Sequence, residues 1–157
     1  MISIKKIFSK QYIFHTILLI FIFLVFVFSL SSYLITQKSK RRTFIFPSAD
    51  EGKYVIEYRN LAKNSAQGDV EYFIDELLLG STLERTKSIF TPGTKVLSCF
   101  QRQNVLYLNL SADLLNIGDG VVDIKEGVEL LENNIYKNFP KISKIEFFVN
   151  GKIAFEN

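Results

Sequence analysis

For chemistry the chain offers one histidine, one cysteine and a scatter of carboxylates. His15 lies inside an apolar stretch near the N-terminus. It cannot reach a Ser-His-Asp relay built from later residues, and alone it makes no His-rich metal site. Its position suits a polar residue at a membrane edge. Cys99 stands in a segment with strand alternation, where an inert buried thiol is expected before a nucleophile. A single cysteine forms no internal disulfide and fits either redox compartment. Asp75 and Glu76 are neighbours on an expected helix and project about 100° apart, so they form a solvated face and not an acid–base pair. Asp113, Asp119 and Asp123 with two glycines match a calcium loop only loosely, and Asp123 is better placed as a helix cap. Gly118-Asp119-Gly120 lacks the third glycine and the lysine of a phosphate cradle. No catalytic, cofactor-binding or metal-ligating residue is assigned, no cofactor is expected, and the expectation is a non-enzyme.

The element that must position everything else is Tyr12 to Ile35. Its centre, Ile17 to Phe28, is twelve unbroken apolar residues. As one helix the 24 residues Tyr12 to Ile35 would be roughly 36 Å long, enough to cross a hydrocarbon core of about 30 Å. Phe, Leu, Ile and Val occupy every face, unlike a core helix with its polar stripe. The first alanine is Ala49, so an Ala-x-Ala cleavage site is missing, and no cysteine stands just behind the run for a lipid anchor. The expected organisation is a basic cytoplasmic tail (1–11), a transmembrane signal anchor (12–36), a basic linker (37–42) and a domain at 43–157.

Charge divides at the same place. Lys5, Lys6, Lys10, Lys38, Lys40, Arg41 and Arg42 precede Thr43, and all 16 acidic residues follow it beside the remaining 12 of 19 basic ones. The domain is therefore −4 although the chain is +3. The basic excess belongs to membrane flanks and not to a nucleic-acid surface, so no nucleic acid is expected. Charge alone barely orients the span, with three lysines on one side and four basic residues on the other. The signal-anchor layout places the tail inside and the domain outside.

Beyond the anchor, Thr43 to Phe46 and Lys53 to Tyr58 read as a hairpin around Ser48-Ala49-Asp50-Glu51-Gly52. Tyr54, Ile56 and Tyr58 share one face, Val55 and Glu57 the other. Asn60 to Gly68 is loop-like. Asp69 to Leu79 reads as a helix capped by Asp69, with Val70, Phe73, Ile74, Leu77 and Leu78 on one face and Gly80 as its stop. Strands are expected at Lys95 to Phe100 and Asn104 to Leu110, with Leu106, Leu108 and Leu110 on one side. A second helix, Asp123 to Asn138, is capped by Asp123 and carries a core stripe of Ile124, Val128, Leu131 and Ile135. Lys144 to Val149 and Lys152 to Phe155 flank Asn150-Gly151, the strongest hairpin signal in the chain. Most of Tyr54, Phe73, Tyr107, Phe147 and Phe148 are expected in core packing. The order β-β-α-β-β-α-β-β implies an α+β fold: a mostly antiparallel sheet with two helices packed on one face, behind a transmembrane helix.

Several stretches in that frame resemble the GerMN domain, named from bacterial sporulation and germination proteins. They are Leu77-Leu78-Leu79-Gly80, Pro92-Gly93-Thr94-Lys95-Val96-Leu97, Val105 to Asp113, Phe139-Pro140-Lys141-Ile142 and Ile145 to Lys152. The resemblance covers nearly all of Phe44 to Phe155. It implies an extracytoplasmic α/β domain similar to the ring-building motifs of membrane-spanning bacterial assemblies, with no known enzymatic activity. The chain departs from the pattern by having one such domain where some members have two, and an anchor where many have a lipoprotein cysteine. The expectation is a non-catalytic domain, single-pass in the cytoplasmic (inner) membrane with its C-terminal part periplasmic, that assembles or maintains a cell-envelope complex through envelope protein partners or self-association. The alternative is an extracytoplasmic ligand-binding domain for a cell-wall fragment or small molecule.

Overall fold

The structure, a computed structural model, describes residues 3–36, 39–50, 52–63 and 66–154. The chain divides into two compact units between residues 38 and 39. The first is one long helix, α1 (Ser3–Thr36). Within it Tyr12–Tyr33 has a mean hydropathy of 2.8 and no buried residue, which makes it long and apolar enough to cross a membrane. Thr16 satisfies its hydroxyl within the helix by donating to the Tyr12 carbonyl at 2.8 Å.

The second unit contains β1 (Ser39–Pro47), β2 (Tyr54–Ala62), α2 (Asp69–Leu78), β3 (Val96–Arg102), β4 (Val105–Leu110), a 3-10 turn (Ala112–Leu115), α3 (Ile124–Asn138), β5 (Lys144–Val149) and β6 (Lys152–Ile153). The expected order of strands and helices is therefore present. The strands form two sheets, where a single one was expected: an antiparallel pair β1-β2, and a four-stranded sheet in the order β3-β4-β5-β6. In the larger sheet β4 and β5 are parallel, because the chain between them crosses over through α3. The other pairs are antiparallel.

Three local expectations are corrected. β1 begins at Ser39, so Lys40, Arg41 and Arg42 belong to a strand and not to a linker, and Arg42 is only 4% exposed; Gln37 and Lys38 lie outside the described residues. β2 runs on to Ala62 because Leu61 is buried and extends the pairing. Asp69 is the first residue of α2 and not its cap; Gly68 holds the cap position and no side chain caps that end. Asp123 does cap α3, its Oδ1 accepting from the Glu126 amide at 2.9 Å. At Asn150-Gly151 both residues take positive φ, 49° and 79°, the conformation that a tight two-residue hairpin requires. Phe155 lies outside the described residues.

One hydrophobic cluster joins all the layers. Leu106, Leu108 and Leu110 of β4 and Phe147 of β5 enter it from the larger sheet, Phe73, Ile74 and Leu77 from α2, and Val128, Leu131 and Ile135 from α3. Phe44 and Phe46 come from β1, and Phe44 stacks on Phe73 with ring centroids 4.7 Å apart. Helix α3 also approaches the loop before β3 closely. A Cβ on Gly127 would lie 2.6 Å from the Ile89 carbonyl oxygen and 2.8 Å from the Phe90 ring.

The face of β2 that carries Tyr54, expected in core packing, is the outer one. Tyr54, Ile56 and Tyr58 point outward and are 56%, 52% and 57% exposed. Glu57, Arg59 and Leu61 occupy the opposite, more covered face. Of the aromatics expected in the core, Phe73 and Phe147 are there, Tyr107 and Phe148 are half-buried, and Tyr54 is exposed.

Candidate functional site

Among the described residues, the buried polar ones are Arg42, Thr94 and Asn134, and each hydrogen-bonds within its own domain. Asn134 and Asn138 stand one turn apart on α3, so both face β1. The side-chain amide of Asn134 accepts from the Ile45 N–H at 2.8 Å and donates to the Ile45 carbonyl at 2.9 Å. Asn138 repeats the arrangement on Thr43, at 2.9 and 2.6 Å. Two side chains thus stand where a further strand would pair. Arg42 is held by the same helix end: its Nη1 donates to the Asn138 carbonyl at 2.7 Å, and its guanidinium lies 4.0 Å from the Phe139 ring centroid. Asp69 is 3.8 Å from Nη2. Burial lowers the Arg42 pKa and Asp69 opposes that shift.

A second network fastens β2 to the C-terminal end of α2. Arg59 donates to both carboxylate oxygens of Glu57, at 2.8 and 3.1 Å. It also donates to the carbonyls of Glu76 and Gly80, at 3.1 and 2.6 Å, where helix ends leave acceptors unpaired. Its guanidinium lies 4.7 Å from the Phe44 ring centroid. Glu57 further accepts from the hydroxyls of Ser81 and Thr82, both at 2.9 Å. The Arg59 hydrogen bond is the main reason the Glu57 pKa falls to about 2; burial opposes it, and Ser81 and Thr82 add to it. A carboxylate held so firmly ionised is a poor general acid or base near neutral pH.

The residues singled out for chemistry are spread over separate elements. His15 is in α1, in edge contact with Phe14. The Cys99 thiol is half-buried and pushed up to about 12, by burial first and then by Glu71 and Asp75, so it is not a nucleophile near neutral pH. Asp75 accepts from Gln67 at 2.9 Å, whereas Glu76 lies 3.6 Å from Arg59. Burial raises Asp75, with Gln67 opposing and Glu76 adding. Asp113 accepts from the Ser111 hydroxyl at 2.8 Å and Asp123 serves as the α3 cap. Among the described residues no group of three His, Cys, Asp or Glu side chains is placed to hold a metal ion.

Open clefts of about 400 Å³, bordered by Ile45, Tyr54, Glu126 and Lys137, and about 380 Å³, bordered by Lys40, Asp69, Phe139 and Lys141, lie on the domain, and two further open surfaces stand out. On the outer face of the larger sheet, Phe100 and Tyr107 stack at 4.9 Å and border a cleft of about 170 Å³ with Ser98, Asn109 and Phe148. That volume is below the roughly 300–1,000 Å³ of typical small-molecule sites. The other surface is the outer face of the β1-β2 hairpin, where Arg41 lies over Tyr58 with 4.2 Å to the ring centroid. The exposed row Tyr54, Ile56 and Tyr58 was legible as a face in the sequence, but its outward orientation was not. Asn134 and Asn138 left no signal beyond two amides spaced one turn apart.

Fold and surface together define a small α+β domain behind a membrane-type helix, with its buried polar groups engaged in internal docking. The family described as Germane, sporulation and spore germination, matches residues 43–154, and the chain belongs to that family. An uncharacterized lipoprotein of Treponema pallidum (strain Nichols) is 26% identical over 106 residues, 68% of this chain and 79% of the relative. The first GerMN domain of the sporulation protein GerM from Bacillus subtilis superposes with a TM-score of 0.58 at 15% identity, over 73% of this chain and 86% of that one. The tandem GerMN domains of the same protein give 0.58 at 17% identity, covering 73% of this chain and 40% of theirs. These likenesses establish the GerMN fold.

Proposed function

We propose that the protein is a non-catalytic, membrane-anchored GerMN domain that acts outside the cytoplasm in assembling or maintaining a bacterial envelope complex. The observation that carries this reading is where the ionisable groups are engaged. Among the described residues, the well-covered charges Glu57, Arg59 and Arg42 are each paired inside the fold. The apolar helix at Tyr12–Tyr33 and the lipoprotein relative both support attachment at a membrane. Family membership supports an extracytoplasmic place.

A domain of this kind works by contact, so confinement beside the membrane raises its effective concentration for partners there. The test is complementation of a deletion strain at matched protein levels. The anchored form is expected to rescue. A form with residues 1–38 replaced by a cleaved secretion signal is expected to rescue poorly. Full rescue by the released form, together with complete loss from one polar substitution that leaves stability unchanged, overturns the reading in favour of an enzyme.

A further inference from the structure

The two edges of the hairpin are treated differently by the fold. In an antiparallel pair, alternate residues turn their backbone groups toward the neighbour and the rest turn them away. On β1, Thr43 and Ile45 turn theirs to Asn138 and Asn134, and the Pro47 carbonyl accepts from Lys87. Phe44 and Phe46 therefore face β2, opposite Glu57 and Val55. It follows that Val55, Glu57 and Arg59 face β1, while Tyr54, Ile56, Tyr58 and Asn60 turn their amides and carbonyls to the far edge. Among the described residues, no group outside the hairpin bonds to the main chain of Tyr54–Ala62. The side chains of that row are uncharged, three of them large and more than half exposed. No proline or register break interrupts the strand, and its inward charges, Glu57 and Arg59, are paired with each other.

We propose that this edge of β2 pairs antiparallel with the same edge of a second copy, about a two-fold axis through Tyr58. Tyr58 is the midpoint of Tyr54–Ala62, so this register overlaps the whole strand. It sets Ile56 opposite Asn60 of the second copy, and Tyr54 opposite Ala62. On the other face it sets Glu57 opposite Arg59 of the second copy, twice by symmetry, and Val55 opposite Leu61. Centring on Ile56 would instead overlap only Tyr54–Tyr58 with the second copy, about half of the strand. The paired hairpins make a four-stranded sheet whose outer strands are both β1. Along the outer edge of β1, Thr43, Ile45 and Pro47 are already engaged by Asn138, Asn134 and Lys87, which works against a further strand, so the assembly closes at a dimer. β1 follows closely behind α1, so copies attached to one membrane are concentrated for this encounter.

This pairing deepens the assembly reading by naming one partner. It is tested by a separate readout, so either can fail alone. The full chain is expressed in bacterial membranes with Tyr58→Cys, Ile56→Cys or Asn60→Cys and oxidised, the wild-type chain with its half-buried Cys99 serving as background. A disulfide-linked dimer is expected for Tyr58→Cys by itself. Ile56→Cys and Asn60→Cys are expected to link only when coexpressed. Adding Ile56→Pro removes an outward N–H and no bond to β1, so it should abolish the Tyr58→Cys dimer without lowering the thermal transition. If the proline variant is unfolded, Ile56→Lys decides in its place. The proposal is overturned by no dimer at Tyr58→Cys, by equal self-linking at all three positions, by linkage of Tyr58→Cys to a different protein, or by a folded Ile56 variant that links undiminished.

Discussion

β1 and β2 belong to one hairpin, yet they meet their surroundings in opposite ways. The outer edge of β1 is covered by side-chain amides from α3, and its inward face carries Phe44 and Phe46 into the core. The outer edge of β2 is open, and its inward face carries an ion pair. A helix can therefore do a strand's work where two amides stand one turn apart, because i and i+4 on a helix match alternate residues on a strand. On β2 the inward apolar surface is supplied partly by charged residues. Arg59 lies against Phe44 and Phe46 while its donors close the end of α2.

The strongest way to break this contrast is Asn134→Leu. It leaves the part-buried Ile45 N–H and carbonyl without these partners, which should cost at most about 2–6 kcal/mol at roughly 1–3 kcal/mol per fully buried group. Urea unfolding of a fragment from Ser39 onward measures it; an unchanged midpoint would show that the amides do not hold β1. Leu131→Ala, on the same helix and fully buried, should cost roughly 2–5 kcal/mol by the same assay. Gly127→Ala asks whether α3 must sit close to the chain at Ile89 and Phe90, and overpacking there should cost about 1–3 kcal/mol.

Glu57→Gln sharpens the other side of the contrast through pH. The folded pKa of Glu57, about 2, lies below its ordinary value of 4.5. The folded state thus binds fewer protons, and the stabilisation is complete above about 4.5 and lost as pH falls toward 2. The stability gap between wild type and Glu57→Gln should be widest near neutral pH and shrink across that window. A gap independent of pH would place the effect in shape and not in charge. The smallest effect is expected for Ile56→Ser on the open face, within about 0.5 kcal/mol.

Much of this was legible from the residues. The apolar span shows by length and uniformity, α3 by its stripe and by Asp123, the last hairpin by Asn150-Gly151, and β4 by its three alternating leucines. In each case a local rule suffices: membrane thickness, helical period, a cap, or a turn needing positive φ. The sheet division was not legible, because strand order along the chain does not specify which strands hydrogen-bond. Nor was the start of β1, since Lys40-Arg41-Arg42 looks like a solvated linker until Phe139 and the end of α3 are placed beside Arg42.

The sequence by itself determined a membrane-type helix and an α+β domain of this element order. Tertiary structure alone decided which face of β2 is inside and which edge of the hairpin is open. Alternation states only that Tyr54, Ile56 and Tyr58 share a side; hydrophobicity alone would send that side inward. The outcome was reversed by contacts distant in the chain. Arg59 found carbonyls at the end of α2, Glu57 found the hydroxyls of Ser81 and Thr82, and Asn134 and Asn138 reached β1 from α3. Hydrogen bonds between segments this far apart have no periodic signature, so only the folded chain brings their partners together.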